Sequence, residues 1–211
     1  MKKAVHINIL ILVLTFFMAG LGSYAQNTKL SATQVLDKVV NKIQGVPSLN
    51  VTMNLNSANQ SESATFTIAK EKFSAKIGGM EIFYDGKTQW TVNHEDKEIS
   101  LTEPTLSELA ETNPLAFMQN YKNKYNAVLV SSTSSSYTIG MQAKDKSAYV
   151  RSATIIVNSD SWLPTAMTAQ LANGQTLDIH IVSTNIGKGL PISNFRANTK
   201  VLSGYEIIDL R

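Results

Sequence analysis

The sequence predicts a mainly β protein, a curved antiparallel sheet whose concave face is covered by short α-helices. Three observations carry this expectation. Apolar and polar residues alternate with period two along most of the chain, the signature of strands with one buried face. Gly, Asn, Asp and Ser punctuate the alternation at short intervals, as hairpin turns require. Helical periodicity occurs once before the strands and once as an interruption among them, which leaves helices free to cover one face of a meander.

The chain opens with Lys2 and Lys3, an apolar run over residues 7–18 and the small residues of Ser23-Tyr24-Ala25, the layout of an export signal cleaved after Ala25. The run is shorter than the ~20 residues a membrane span needs, and no second run follows it. The mature chain is therefore expected to be soluble and exported. Lipid attachment at the new N-terminus would need a cysteine, and the chain has none. Disulfides are equally ruled out, so stability must come from burial.

Cleavage leaves 186 of 211 residues, read as one domain over residues 26–211. The excised segment holds two lysines and no acid, so 17 basic residues face 16 acidic ones in the remainder. That near-neutral balance excludes a nucleic-acid partner, which would call for clustered positive charge.

Ser31-Ala32-Thr33-Gln34 reads as a capping box, and Val35, Leu36, Val39, Val40 and Ile43 then fall on one helical face until Gly45 and Pro47. From Leu49 the period becomes two: Leu49, Val51, Met53 and Leu55, then Phe66 and Ile68, then Phe73, Ala75 and Ile77. Gly78-Gly79 precedes a strand over residues 80–84. Asp85-Gly86 is a tight-hairpin signal that returns the chain over residues 88–92. Residues 104–110 read as helical, and Asn113-Pro114 opens a second helix carrying Leu115, Phe117, Met118 and Tyr121. Strands resume over residues 126–131, 137–143, 151–157, 165–171 and 176–185, with Asn173-Gly174 as a further tight turn. The serine-rich residues 131–136 form a flexible hairpin tip.

Chemistry-bearing patterns are sparse. His94 sits in a polar turn and His180 on a solvated strand face, neither with an evident partner. There is no HExxH, glycine-rich phosphate loop or GxSxG motif. Asp85 reads as turn chemistry. No catalytic residue, metal site or cofactor is expected, and the chain is not read as an enzyme.

Its apolar residues are more telling. Met53, Met80, Met118, Met141 and Met167 all fall on expected strands or helices, and methionine adapts to varied apolar partners. Periodicity alone leaves two readings open, a filled core and a pliable cavity. The residues assigned to such a cavity are Val51, Met53, Phe66, Ile68, Phe73, Ile82, Trp90, Met141, Ile155, Met167 and Ile179.

Met80-Glu81-Ile82-Phe83-Tyr84-Asp85-Gly86-Lys87-Thr88-Gln89-Trp90 resembles the strand, Asp-Gly-Lys-Thr turn and return strand of the LolA-like outer-membrane lipoprotein carriers. In order and spacing, three further features agree. Asn113-Pro114 with Tyr121 is similar to the family's lid region, and Ala143-Lys144-Asp145-Lys146-Ser147 to a connection between later strands. Tyr205-Glu206-Ile207-Ile208-Asp209-Leu210-Arg211 is similar to the terminus of Bacteroidetes-type periplasmic members. The resemblance spans the whole mature chain. It implies an unclosed antiparallel β half-barrel with short helices covering the concave face, acting as a monomeric periplasmic chaperone. Acylated lipoproteins would be its cargo, an inner-membrane lipoprotein-releasing transporter its donor and an outer-membrane acceptor its destination. The runner-up reading is a non-transporting module that binds or senses lipid or lipoprotein in the envelope.

The resemblance also implies a lid, here Leu106, Leu109, Leu115, Phe117 and Met118. Family members latch it with an arginine from an Arg-Pro pair before an aromatic residue, whereas this chain reads Lys70-Glu71-Lys72-Phe73. Lys70 and Lys72 are the candidate latch, with single-point donors in place of a planar fork.

Overall fold

The computed structural model describes residues 30–58, 60–105, 108–109 and 121–211. Helix α1, Ala32–Gln44, starts at the expected capping box: the Ser31 hydroxyl accepts from the Gln34 amide (3.2 Å) and the Gln34 side chain accepts from the Ser31 amide (2.8 Å). Two otherwise orphaned donors are thereby satisfied. Gly45 closes the helix through its amide on Asn41 O. Ala32, Val35, Leu36, Val39 and Ile43 form the buried stripe.

Twelve strands follow: β1 Ser48–Ser57, β2 Gln60–Ala69, β3 Lys72–Ile77, β4 Met80–Tyr84, β5 Gln89–Asn93, β6 Glu98–Thr102, β7 Tyr125–Ser132, β8 Ser136–Ala143, β9 Val150–Asn158, β10 Pro164–Leu171, β11 Thr176–Gly187 and β12 Glu206–Asp209. They make one sheet in the order β12-β6-β5-β4-β3-β2-β1-β11-β10-β9-β8-β7. Every pairing is antiparallel except β12 on β6. The outermost strands do not pair with each other, so the sheet is an open half-barrel. Strands β1 and β11 meet at a seam with seven strands on one side and five on the other, where Ser48 stands opposite Gly187 and Asn56 opposite Asp178.

Several turns differ from expectation. Asp85-Gly86 is not a two-residue hairpin: Tyr84 pairs with Gln89, leaving a four-residue loop in which Gly86 alone has a positive φ, of 102°. Asn173-Gly174 lies in a three-residue loop closed by the Leu171 amide on Gln175 O, with Gly174 at φ 82°. The left-handed glycine after a type I-like turn is the usual three-residue solution. The serine-rich tip is tied down: Thr133 Oγ1 accepts from the Ser136 amide, while the Ser159 amide and hydroxyl donate to Ser135 O and Ser134 O.

Strands β6 and β12 and the 3-10 turn Ile192–Phe195 were not anticipated. Residues 197–205, between the 3-10 turn and β12, cover the outer face at one end of the sheet. There Ala197, Leu202 and Tyr205 pack on Val92, Ile99 and Leu101, together with Phe83 and Trp90.

Candidate functional site

In an antiparallel ladder, residues directly opposite each other share a face, so the register sorts the side chains. One row runs Val51, Phe66, Ala75 and Ile82, and a second runs Leu49, Ile68, Phe73 and Tyr84. Across the seam, Met53 meets Ile181 and Leu55 meets Ile179, after a bulge between Thr52 and Met53. Met167 lies between Ile179 and Ile155.

These rows enclose an apolar cavity of about 140 Å³. Val51, Met53, Phe66, Ile68, Ile155, Met167 and Ile179 line it, joined by Ile43 of α1, Leu49, Leu163, Pro164, Ala166, Ile181 and Thr184. Thr184 is the only polar side chain among these wall residues. The volume is well below the ~300–1,000 Å³ of pockets that bury drug-sized ligands.

Four expected residues lie elsewhere. Phe73 and Met141 sit on the cavity side of the sheet but in its buried core, at 0% and 3% exposure. Ile82 shares the row of Val51 and Phe66 but borders a separate small groove with Gly78, Gly79 and Met80. Trp90 is a correction, since it stands opposite Phe83 and Leu101 on the outer face, while Ile82 stands opposite Thr91. The reason is parity. Any hairpin loop with an even number of residues makes even positions on one strand share a face with odd positions on the next.

Of the wall residues that sequence reasoning missed, Thr184 is turned inward by the bulge and Leu163 comes from the loop before β10, neither of which leaves a period-two trace, whereas Ile181 follows Ile179 by simple alternation. Ile43 was legible, as the last member of the α1 stripe.

Helix α1 is fastened at two points. The Tyr121 hydroxyl donates to Thr33 O and to Asp37 Oδ1, both at 3.2 Å, and Lys122 Nζ lies 2.8 Å from Asp37 Oδ1. Burial and the Asp37 carboxylate push the Tyr121 phenol up to about 12. Lys38 Nζ sits 4.7 Å above the Trp162 ring, which stacks on Tyr137 at 5.6 Å. Trp162 has φ 57°, unusual for a bulky residue. Its amide bonds to Asn158 O, and Asn158 Oδ1 accepts from Asp160 and Ser161.

Asp85 is more than a turn former. Its Oδ1 accepts from the amides of Lys87 and Thr88, both at 3.0 Å, and its Oδ2 from Arg196 Nε at 2.7 Å. Burial alone would raise this carboxyl, but the Thr88 amide, Arg196 and the Lys87 amide outweigh it and hold it below its ordinary value.

Of the lid residues, Leu106, Leu115, Phe117 and Met118 lie outside the described residues. Leu109 is buried at 4% exposure, just after a cap in which Thr105 and Glu108 bond reciprocally. Lys70 occupies the exposed tip of the β2–β3 hairpin at φ 56°, and Lys72 lies 3.4 Å from Glu71. Among the described residues there is no cluster of three metal-ligating side chains, and no helix is long and apolar enough to cross a membrane.

An open half-barrel with a helix over an apolar cavity defines a binding protein of the lipoprotein-carrier architecture. The family model described as outer membrane lipoprotein carrier protein LolA matches residues 21–175, and the chain belongs to that family. No curated protein sequence matches it. Among solved structures, an uncharacterized conserved protein from Thermus thermophilus superposes with a TM-score of 0.61 at 9% identity, covering 84% of this chain and 98% of that one. A putative outer membrane lipoprotein-sorting protein domain from Vibrio parahaemolyticus gives 0.48 at 9% identity over 81% and 97%. A LolA superfamily protein from Nitrosomonas europaea gives 0.44 at 14% over 81% and 100%.

Proposed function

We propose that this chain is a periplasmic chaperone that takes up the acyl chains of lipoproteins and carries them from the inner to the outer membrane. The observation that supports this best is the cavity, whose wall side chains are apolar apart from Thr184. Each buried methylene contributes about 0.8 kcal/mol, so a chain of about 16 carbons gains roughly 12 kcal/mol in any good apolar site. A bilayer offers the same gain. Loading therefore needs an energy-driven donor at the inner membrane, and release needs a site that is not over-complementary to its cargo.

At about 140 Å³ the cavity is smaller than a long acyl chain needs. Uptake of a long acyl chain requires its walls to part, and in this reading the lid assigned to Leu106, Leu109, Leu115, Phe117 and Met118 is what moves. In this reading residues 1–25 serve as the export signal, and the mature chain performs no catalysis.

The test is mass spectrometry of material extracted from the protein purified out of its own envelope. Co-purified acylated peptides support carriage of lipoproteins, free lipid alone would reduce the role to lipid binding, and an empty protein would sink the reading. Replacing Leu115 or Met118 with aspartate is expected to abolish binding of a fluorescent acyl probe and to leave the β-sheet circular dichroism unchanged.

A further inference from the structure

Five of the chain's 19 basic residues fall within residues 122–151, where Asp145 is the single acid. The fold gathers them at one end of the sheet. Lys122 and Lys124 lead into β7, Lys144 and Lys146 form the β8–β9 turn, and Arg151 lies at the start of β9. The groups are held together by backbone bonds: the Lys144 amide donates to Lys124 O (2.8 Å) and Lys144 Nζ to Lys122 O (2.7 Å).

Little negative charge offsets them. Asp37 is engaged by Lys122. Asp145 is exposed, accepts from the Ser147 amide at 2.7 Å, and is held below the usual carboxylate range chiefly by Ser147, with Lys124 and Arg151 adding to the effect. Lys124, Lys144, Lys146 and Arg151 have no ion-pair partner among the described residues.

The same turn carries an aromatic residue that burial does not explain. Tyr149 is 59% exposed, although its own carbonyl is fixed by the Ala172 amide at 2.7 Å. An outward tyrosine flanked by cations is the combination that suits a membrane–water interface, with the ring at headgroup depth and the charges over phosphates. Four of the five cations are lysines, compact point charges on flexible stems. They match a diffuse anionic surface better than the planar geometry of fixed carboxylates, which favours arginine.

We propose that this end of the molecule is a docking surface for a bilayer containing anionic phospholipid, engaged through Lys124, Lys144, Lys146, Arg151 and Tyr149. It stands apart from the cavity and does not depend on what the cavity carries.

The mature chain is sedimented with phosphatidylcholine vesicles, with and without phosphatidylglycerol, at low and high salt. Binding is expected only to the anionic vesicles and should fall with salt. The Lys144→Gln/Lys146→Gln variant should bind them more weakly by about fivefold per lysine removed. Tyr149→Ser should weaken binding as well. Both variants should keep the wild-type thermal midpoint and acyl-probe affinity, which separates failure of this proposal from failure of the carrier reading. Equal binding to neutral vesicles, or unchanged binding by the double variant, would overturn it. Wild-type binding by Tyr149→Ser, together with equal affinity for polyglutamate, would overturn it in favour of an acidic protein partner.

Discussion

Single side chains decide how the C-terminal segment is held. Asp85 joins its own loop to Arg196, and its side chain is only 6% exposed against 50% for the arginine. Asp85→Asn removes the charge that accepts from three donors, so a loss of about 1–3 kcal/mol in unfolding free energy is expected, measured by urea denaturation at neutral pH. The pH dependence has a definite sign. A carboxyl held below its ordinary value of 3.8 stabilises the fold above that pH, and the contribution is lost as pH falls through the folded value. Wild-type protein should therefore lose more stability than Asp85→Asn between neutral pH and pH 3, and parallel losses would show that the pair contributes nothing. Tyr121→Phe, which deletes only the hydroxyl shared by Thr33 and Asp37, is expected to cost about 1 kcal/mol. None of these partners was legible in the sequence, since Asp85 and Arg196 stand 111 positions apart.

At the level of elements, α1 and most strands were readable because their periodicities are local. The Ser31–Gln34 box and the alternation from Leu49 fixed where the helix starts and where the first strand begins. Strand β6 carries alternating Ile99 and Leu101 but is too short to stand out, and β12 becomes a strand only through its parallel pairing with β6. Loop lengths were misread at Asp85-Gly86 because the Asp85 side chain, bonded to two amides, stabilises a longer loop that a dipeptide rule does not see. The seam has its own steric signature. A β-carbon added at Gly187 would lie 2.5 Å from Ser48 Oγ, a hydroxyl that is buried and bonded to Lys188 O. Gly187→Ala should destabilise by about 1–3 kcal/mol, and Ser48→Gly in the same chain should restore part of that loss. Calorimetry on the two variants checks it, and an undiminished melting temperature for Gly187→Ala would show that the seam yields.

For the whole molecule, the sheet's inner face was foreseeable where parity is simple and not where a bulge or loop intervenes. Val51, Phe66 and Ile68 are read directly off alternating strands, while Thr184 and Leu163 reach the cavity through irregular backbone, and Trp90 was lost to the opposite face by loop parity. Sequence could not show whether the enclosed space is filled, because that depends on how α1 is seated. The cavity makes a functional prediction at this scale. Met167→Trp should fill part of it, lowering acyl-probe affinity while leaving the fold intact or slightly stabilised. Unchanged affinity in a fluorescence titration would place the probe elsewhere.

The seam between β1 and β11 also governs when the protein can become a protein at all. It joins Ser48 to Gly187, so the continuous sheet exists only after nearly the entire chain is present. Neither half can complete its inner face alone, and pairings so distant in sequence place folding in the slow, millisecond-to-second regime. Under the export proposed above, in which the chain crosses a membrane as an extended thread, such delay is an asset: the inner face has no complete partner to collapse against until the last strands emerge on the far side.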